Sequence, residues 1–412
     1  MARIVQKFGG TSVADIGLIK NVAQRVKQSV DAGDEVVVVV SAMAGTTNQL
    51  VNWASEISSK HDAMEYDVIV SAGEQITIGL LAIALQDIGV DARSWLGWQV
   101  PILTNDLHGR ARILDVRAKE IMDRLGHGQV AVMAGFQGIT SNGRVATLGR
   151  GGSDTSAVAL AAAIDADRCD IFTDVDGIYT SDPRIVSRAR KLDKITYEEM
   201  LEMASLGAKV LHTRSVELAM NHSVRLQVLS SFKDAPGTLV VDEEEILEQE
   251  IVSGIAHSGN EAKITLVRVP DHPGVAAAIF GPLADSGINV DMIVQNVSED
   301  GKATDLTFTV PKDDLDLALE VLEGQRKKLG FERVQGDPEV VKISVVGVGM
   351  RSHAGVAMRM FQALAEKGIN IQVISTSEIK ISVLVSDAYT ELALRSLHTA
   401  YGLDAAKVLD HE

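Results

Sequence analysis

The chain contains a single cysteine, Cys169, among its 412 residues. One cysteine excludes an intrachain disulfide framework and is typical of a reducing compartment. Because Cys169 lies in an apolar stretch, we expect a buried structural thiol rather than a nucleophile. No apolar run approaches the ~18 residues of a membrane span, and residues 1–8 alternate like a strand rather than a signal peptide. These absences predict a cytoplasmic protein.

Basic side chains are outnumbered by acidic ones. The chain has 39 Lys and Arg against 56 Asp and Glu, a net charge of -17, which argues against nucleic acid or an anionic membrane as the main partner. Hydrophobic residues make up 46% and charged residues 23%, the balance of a globular protein with two or three domains. No Ser-His-Asp order, Cys-His pair or metal-ligand spacing stands out, so hydrolytic chemistry gains no support and no metal-binding residue is predicted.

Strands and helices alternate through the first half of the chain. Residues 4–8 predict a strand that runs into a glycine turn, and the apolar run 36–40 predicts a strand covered on both faces. Residues 65–87 predict one long helix. This alternation predicts a mainly parallel sheet sandwiched by helices, with ligands at the carboxyl ends of its strands.

An internal repeat follows a surface linker. Pro236-Gly237 and the acidic run 242–245 predict a boundary. Beyond it, the motifs around Lys263 and His272 recur around Lys342 and His353, and each copy reads as a ferredoxin-like βαββαβ unit. We therefore predict a first domain over 1–240, a linker with a possible extra edge strand over 241–262, and two repeated domains over 263–335 and 336–412.

The stretch 147–156, Thr-Leu-Gly-Arg-Gly-Gly-Ser-Asp-Thr-Ser, predicts an anion site. Its glycines let backbone N–H groups approach a ligand, the alanine-rich run behind it supplies a helix N-terminus, and Arg150 adds a guanidinium fork. A tight turn capped by Ser153 or Asp154 would explain the same residues if they stood alone. No Gly-Lys-Ser/Thr ends the stretch, so it is not a Walker A loop.

Other polar residues could join this site. Lys7 precedes Gly9-Gly10, which is suited to holding transferred phosphate oxygens. Glu74 lies in an apolar helical stretch and is either exposed or buried against a substrate ammonium. Residues 173–177, Thr-Asp-Val-Asp-Gly, predict a β-hairpin, and they also predict a strand end that could flank a nucleotide; the two interpretations are compatible. An attacking carboxylate needs cations and backbone donors rather than a general base.

Taken together, five motifs resemble those of the aspartate kinases, which have the amino acid kinase fold, and the repeat resembles their tandem ACT domains. The resemblance covers essentially the whole chain and implies ATP- and Mg²⁺-dependent phosphorylation of the side-chain carboxylate of L-aspartate. One departure is visible, because the family often has His-Pro-Arg where this chain has His212-Thr213-Arg214. The motifs are Lys7-Phe-Gly-Gly-Thr-Ser12, Ser71-Ala-Gly-Glu74, Leu148-Gly-Arg-Gly-Gly-Ser-Asp154, Thr173-Asp-Val-Asp-Gly-Ile-Tyr179 and Asp182-Pro-Arg184.

The resemblance also assigns roles. Lys7 would stabilise the transferred phosphoryl group, Glu74 the substrate ammonium and Arg150 a substrate carboxylate, with Asp154 as a third catalytic residue. Ser41, Thr47, Ser153 and Asp154 would complete the aspartate pocket. The nucleotide would be held by Lys7, Gly9, Gly10, Thr173, Asp174, Tyr179, Arg184 and Lys209.

In the repeat, the resemblance implies feedback inhibition by lysine and threonine across an ACT-mediated homodimer or higher oligomer. It leaves open whether the effectors act singly or in concert, whether the oligomer is a dimer or tetramer, and whether a separate C-terminal subunit is made. The effector residues would be Asp271, Gly274, Ala276, Asn289, Val290, Asp291 and Gln295 in the first copy, and Asn370, Ile371, Ser377 and Glu378 in the second.

Two other functions remain as alternatives. A sister kinase acting on glutamate or N-acetylglutamate would share the fold. A non-catalytic amino-acid sensor built around the ACT pair would need no kinase residues, and the presence of Lys7, Arg150 and Asp154 counts against it.

Overall fold

The computed structural model of the protein describes residues 1–206, 210–246, 250–297 and 303–404. The chain forms two compact units. The first comprises Met1–Ile178, Lys191–Ala204 and Lys209–Glu248, and the second comprises Tyr179–Arg190, Ser205–Ala208 and Gln249–Glu412. The chain therefore passes from one unit to the other several times, instead of once at residue 240 as predicted, and residues 179–190 belong to the second unit.

Within the described residues, the first unit is built on an eight-stranded sheet of order β10-β12-β11-β9-β1-β2-β6-β3. The pairs are parallel except for β11 with β12, as the alternating pattern predicts. The five valines of β2 are all buried, as expected of a strand covered on both faces. The strands are β1 (Arg3–Phe8), β2 (Glu35–Val40), β3 (Ala92–Trp95), β6 (Val130–Ala134), β9 (Arg168–Thr173), β10 (Lys194–Thr196), β11 (Leu226–Ser230) and β12 (Thr238–Val241).

A smaller sheet and a set of helices complete this part of the chain. In the residues that are described, the smaller sheet has the order β5-β4-β7-β8. Its strands are β4 (Ile102–Thr104), β5 (Ile113–Val116), β7 (Gln137–Thr140) and β8 (Val145–Thr147). The helices are α1 (Ile16–Asp31), α2 (Thr46–Ile57), α3 (Ala63–Val70), α4 (Ala72–Asp87), α5 (Lys119–Leu125), α6 (Gly152–Ala163), α7 (Tyr197–Ser205) and α8 (Thr213–Asn221).

Helix α1 shows how local sequence sets an element and its buried face. The Asp15 side chain caps the helix by accepting a hydrogen bond of 2.8 Å from the N–H of Leu18. Its apolar residues recur at helical spacing and pack on the sheet in one core with Phe8, whose ring stacks on Phe172 at 4.6 Å. The buried residues of α1 are Ile19, Val22, Ala23 and Val26.

The single helix predicted over 65–87 is wrong, because α3 ends at Val70 and α4 begins at Ala72. The carbonyl of Ser71, at the junction, accepts a hydrogen bond of 3.1 Å from the Gln137 side chain. Together, the two helices are long and apolar enough to cross a membrane by length and composition alone. Half of their most apolar window is buried within the protein, as in the core helices of globular proteins.

The second unit contains a six-stranded antiparallel sheet of order β14-β15-β13-β16-β18-β17 in the described residues. The strands are β13 (Gly254–Pro270), β14 (Asp291–Val297), β15 (Ala303–Val310), β16 (Arg333–Val346), β17 (Val373–Thr376) and β18 (Lys380–Ser386). The helices are α9 (Val275–Asp285), α10 (Leu315–Gly324), α11 (Arg326–Leu329), α12 (Val356–Ala365) and α13 (Thr390–Ala400).

The two repeats share their long strands. Residues 262–270 of β13 pair with β15, whereas residues 254–258 pair only with the end of β16. The possible extra edge strand predicted within 241–262 therefore starts at Gly254. It pairs with the part of β16 that begins the second repeat, and it continues without a break into the first repeat. Strand β16 likewise crosses the boundary predicted at residue 335. Each repeat keeps its own apolar core.

Gly237 lies at a close backbone approach in the first unit. A Cβ atom there would lie 1.9 Å from the carbonyl oxygen of Val228, whereas one at Gly79, inside α4, would have no atom within 4 Å. We expect Gly237→Ala to reduce the free energy of unfolding by about 3 kcal/mol and Gly79→Ala to raise it by about 0.5–1 kcal/mol. The three tryptophans, Trp53, Trp95 and Trp98, all lie in this unit, so denaturation followed by their fluorescence measures the difference. Equal effects of the two substitutions would contradict the close approach.

Candidate functional site

A cavity of about 680 Å³ lies in the first unit, at the turns that follow the carboxyl ends of β1, β2 and β6. This is where ligands bind in open parallel sheets. Its walls combine the turn after β2, the helices α3 and α4, and the glycine-rich loop before α6. Of the predicted site residues it brings together Lys7, Gly10, Ser41, Thr47, Glu74, Arg150, Ser153 and Asp154.

The ammonium of Lys7 is buried in the wall of this cavity. Lys7 lies near the end of β1 and is only 8% exposed. Its Nζ lies 2.6 Å from Oδ1 of Asp154, in the first turn of α6. The first turn of a helix carries N–H groups without partners inside the helix. A buried ammonium and a helix N-terminus therefore face the same cavity, which suits negatively charged oxygens.

The loop before α6 depends on its glycines. Gly149 and Gly151 have φ of 78° and 67°, in the left-handed region that favours glycine. A Cβ on Gly151 would lie 2.3 Å from Cγ of His212. Arg150 stands between them and is exposed while lining the cavity. The loop thus presents one free guanidinium-bearing residue at the wall of the cavity.

Glu74, in the wall of the cavity, has a pKa that is shifted from its ordinary value. It is 3% exposed, and its Oε1 accepts a hydrogen bond of 3.0 Å from the N–H of Ala42. Its Oε2 is buried without a hydrogen-bond partner. Burial raises the pKa of Glu74 from 4.5 to about 7, in spite of the hydrogen bond from Ala42. Of the two states expected for Glu74, exposed or buried, the structure shows the buried one. A cationic group of a ligand would provide a partner for Oε2.

The turns after β1 and β2 meet closely. A Cβ on Gly10 would lie 2.9 Å from the carbonyl oxygen of Ala42, and the N–H of Ser41 donates to the carbonyl of Phe8 at 3.1 Å. Gly9 is not part of the cavity wall, although a Cβ there would lie 3.4 Å from Nζ of Lys7. This packing brings Ser41 to the same cavity as Lys7.

The predicted nucleotide residues are distributed over both units. Thr173 and Asp174 end β9 in the first unit, outside the cavity wall, and the Thr173 hydroxyl donates to Asp174 at 3.2 Å. Tyr179 and Arg184 belong to the second unit, where hydrogen bonds from Arg184 lower the pKa of Asp182. Lys209 lies outside the described residues. The predicted hairpin is wrong, because β9 pairs in parallel with β1 and β11 and the chain bends after Thr173.

The predicted effector residues lie on loops and strand ends of the second unit. Gly274, with φ of 92°, begins α9, and Gly355, with φ of 93°, begins α12 at the matching position of the repeat. Met292 of β14 packs with Val373 of β17 in one small apolar cluster. The two predicted sets correspond only in part. In the first copy, Asp271, Gly274 and Ala276 lie at the start of α9, Asn289 and Val290 precede β14, and Asp291 and Gln295 lie within it; in the second copy, Asn370 and Ile371 precede β17, and Ser377 and Glu378 lie in the turn after it.

Asp291 has a partner that the motifs did not indicate. Nζ of Lys342 lies 2.7 Å from Asp291 and 2.7 Å from Glu261. Burial alone would raise the pKa of Asp291, but the hydrogen bond and charge of Lys342 outweigh it and lower that pKa. Lys342 comes from β16 and Asp291 from β14, so one ion pair links the two repeats.

Other functional candidates carried no recognisable sequence signal. Phe136 lines the cavity with φ of 68°, a conformation that bulky residues rarely adopt. Arg214 donates hydrogen bonds to the carbonyls of Leu148 (2.9 Å) and Ala111 (2.8 Å), and burial lowers its pKa. The departure noted at His212-Thr213-Arg214 therefore leaves the support of the glycine loop intact.

The raised pKa of Glu74 predicts a pH-dependent stability of the ligand-free protein. A carboxyl whose folded pKa lies above its unfolded pKa stabilises the fold at low pH, and this stabilisation is lost as pH rises from about 4.5 to about 7. Glu74→Gln keeps the shape without the charge. Going from about pH 5 to about pH 8, we expect the variant to gain up to about 3 kcal/mol over the unchanged chain. Urea denaturation of both proteins at the two pH values measures this, and parallel curves would contradict an ionisable, buried Glu74.

Comparison with protein families places both parts of the chain. Residues 2–230 match the amino acid kinase family, and residues 263–326 and 343–401 each match an ACT domain. An aspartate kinase of Pseudomonas fluorescens is 58% identical over 408 residues, which cover 98% of both chains. The expected fold, an amino acid kinase domain followed by two ACT domains, is confirmed.

Two solved structures of Escherichia coli aspartokinase III, each 30% identical, superpose on the chain. One, in complex with aspartate and ADP in the R-state, covers 96% of this chain and 99% of its own with a TM-score of 0.80. The other, in complex with lysine and aspartate in the T-state, covers 96% and 98% with a TM-score of 0.77. These likenesses, together with the matched domains and the near-complete coverage of curated relatives, show that the chain belongs to the aspartate kinase family and is an ATP-dependent kinase.

Proposed function

We propose that the chain transfers the γ-phosphoryl group of ATP to the side-chain carboxylate of L-aspartate, giving 4-phospho-L-aspartate. This would be the first step towards lysine, threonine and methionine. The observation that carries the proposal is the orphaned Oε2 of Glu74, buried in a cavity that also presents Lys7 and Arg150. In this scheme Glu74 matches the ammonium of aspartate and Arg150 its α-carboxylate, which leaves Lys7, paired with Asp154, for the phosphoryl oxygens.

Each charged residue has a role in this scheme. Glu74 would accept the substrate ammonium, whose charge favours the ionised carboxylate. Arg150 would pair with the α-carboxylate, for which its planar fork is suited. Ser41, Thr47 and Ser153 would supply hydrogen bonds around the bound amino acid, since all three line the cavity.

The chemical step needs no general base. An oxygen of the substrate side-chain carboxylate attacks the γ-phosphorus, forming a P–O bond while the bond to the bridging oxygen of ADP breaks. Lys7 would offset the charge on the transferred oxygens, and Asp154, 2.6 Å away, would keep its ammonium in place. The N–H groups at the start of α6 would add donors to the same oxygens.

ATP would enter with Mg²⁺. Magnesium is usually held by one or two carboxylates together with substrate phosphates, and Asp154 in the cavity and Asp174 at the end of β9 are carboxylates that fit this need. The ion would neutralise charge between the phosphates. Gly9, Gly10, Thr173 and Asp174 would bind the nucleotide, and Tyr179, Arg184 and Lys209 remain predictions from the resemblance.

Regulation would act through the second unit. The E. coli relative binds lysine, and the paired ACT domains here carry polar effector candidates in places that correspond in part. We propose inhibition by lysine, threonine or both, in a homodimer or higher oligomer formed through the ACT domains in the cytoplasm.

N-acetylglutamate and the sensor fit the cavity less well than aspartate, whereas glutamate carries the same ammonium and two carboxylates and is separated by the acceptor test alone. N-acetylglutamate has no ammonium, so the buried Oε2 of Glu74 would stay unsatisfied at a cost. A pure amino-acid sensor would gain nothing from the buried pair of Lys7 and Asp154. Both alternatives are decided by the acceptor test that follows.

The acceptor test uses hydroxylamine to trap acyl phosphate from ATP, Mg²⁺ and aspartate, glutamate or N-acetylglutamate. We expect hydroxamate from aspartate only. Lys7→Ala should slow its formation by at least about 100-fold, because a charge-stabilising donor is lost. Lys27→Ala, which removes a solvent-facing lysine paired with Asp31, is the matched control and should change the rate less than about twofold. No hydroxamate from any acceptor would reject the kinase reaction, and a rate unchanged in Lys7→Ala would reject the role of Lys7.

The effector test concerns Asp291. With lysine or threonine titrated into the same assay, Asp291→Asn should raise the half-inhibitory concentration about tenfold, since a charge-assisted contact to an effector ammonium is lost. The uninhibited rate should not change. Asp285→Asn, in an exposed carboxylate at the end of α9, is the control and should behave as the unchanged chain. Equal inhibition of both variants would exclude Asp291 from the effector site.

A further inference from the structure

Asp67 is a fully buried carboxylate that has no role in the scheme above. It lies in α3 and is 0% exposed. It accepts hydrogen bonds from the N–H and hydroxyl of Thr147, at 3.0 and 2.5 Å, and from the N–H of Gly109, at 3.1 Å. Nδ1 of His108 lies 2.8 Å away and donates to the carboxylate in the tautomer that carries its proton on Nδ1. Four donors therefore converge on one side chain.

These donors belong to the wall of the cavity that carries Arg150. Thr147 directly precedes the glycine loop, and Gly109 and Thr147 both line the cavity. The two segments are also tied to each other, because the N–H of Ala111 donates to the carbonyl of Thr147 at 2.9 Å. A Cβ on Gly149 would lie 3.1 Å from the carbonyl oxygen of Gly109. The position of Arg150 thus depends on where Gly109 and Thr147 are held.

Asp67 itself belongs to the opposite wall. Its neighbours on α3, Tyr66 and Val70, line the cavity, and α4 begins at Ala72 and carries Glu74 in its first turn. A carboxylate on this wall therefore holds backbone donors of the other wall. The Arg214 contacts to Leu148 and Ala111 brace the loop from α8, and they do not reach α3.

We propose that Asp67 is a positioning residue that sets the distance between Glu74 and Arg150. This inference rests on the proposed function. The ammonium and α-carboxylate of an α-amino acid are attached to one carbon, so the two protein groups that bind them must keep a fixed separation. Four hydrogen bonds to a buried carboxylate, away from competing water, maintain that separation.

Asp67→Asn tests the role with almost no change in volume. An amide offers only one accepting oxygen. With its NH₂ group in place of Oδ1 the Thr147 hydroxyl loses its acceptor, and with the NH₂ group in place of Oδ2 the N–H of Thr147 and Nδ1 of His108 lose theirs. In the full-length chain we expect the KM for aspartate to rise about tenfold. The KM for ATP should change less than about twofold, because the nucleotide does not depend on the separation of Glu74 and Arg150. A general loss of structure would not separate the two KM values.

A graded pair of substitutions covers the case in which Asp67→Asn fails to fold. Thr147→Val removes only the hydroxyl donor and should raise the aspartate KM by a smaller factor. Thr147→Ser retains the hydroxyl and should restore the original value. Glu65→Gln is the matched control: Glu65 is a second α3 carboxylate, exposed, that pairs with Arg144 at 2.6 Å, and its loss should leave both KM values unchanged.

The outcomes separate this role from the proposed function. The positioning role is supported if the unchanged chain forms hydroxamate from aspartate and if Asp67→Asn or Thr147→Val raises the KM for aspartate but not the KM for ATP. Hydroxamate with an aspartate KM unaltered in these variants, or with both KM values raised equally, overturns the role and leaves the proposed reaction standing. Absence of hydroxamate from the unchanged chain overturns both.

Discussion

The ion pair between Lys7 and Asp154 is the contact on which the catalytic half depends. It joins the end of a central strand, β1, to the first turn of α6, two elements separated by almost 150 positions in the chain. A buried ammonium without a partner would be costly, and so would a buried carboxylate. Their pairing lets both charges stay in the wall of the cavity, as the proposed role of Lys7 requires.

The carboxylate on the other side of the cavity, Glu74, is only partly hydrogen-bonded. Glu74 has one hydrogen bond and one unsatisfied oxygen, and burial raises its pKa to about 7. Such a group destabilises the free protein when it is ionised and favours a cationic ligand. One wall of the cavity therefore favours an ammonium, and the other wall favours anions. Asp67, fully satisfied by four donors, keeps the two walls in place.

The regulatory half shows how repetition and strand sharing combine. Each repeat has its own apolar core, yet β13 and β16 each run through both repeats. The two repeats are therefore joined by continuous strands and by the ion pair of Lys342 with Asp291. Residues 179–190, which follow the predicted nucleotide turn in sequence, pack into the same unit through Val186 in the core of the second repeat.

Short-range patterns were enough to predict much of this molecule. The strand and glycine turn of β1, the apolar run of β2, the recurrence of the repeat and the glycine-rich loop before α6 depend on local conformation and periodicity. The motifs also named eight residues that the structure places around one cavity. The resemblance to aspartate kinases, which rests on those motifs, is confirmed by the relatives, while the individual roles of the residues stay predictions.

What the sequence determined by itself is the alternation of strands and helices in the first half, the repeat in the second half and the resemblance to a family. The tertiary structure alone decided which polar groups are buried and which distant segments meet. The Ser71 carbonyl accepts a hydrogen bond from Gln137, 66 positions away, the raised pKa of Glu74 follows from its burial, and the role of Asp67 needs donors about 40 and 80 positions away. Conformational preferences act over a few residues, whereas burial and hydrogen bonding act through space, and for that reason they become visible only when the chain is folded.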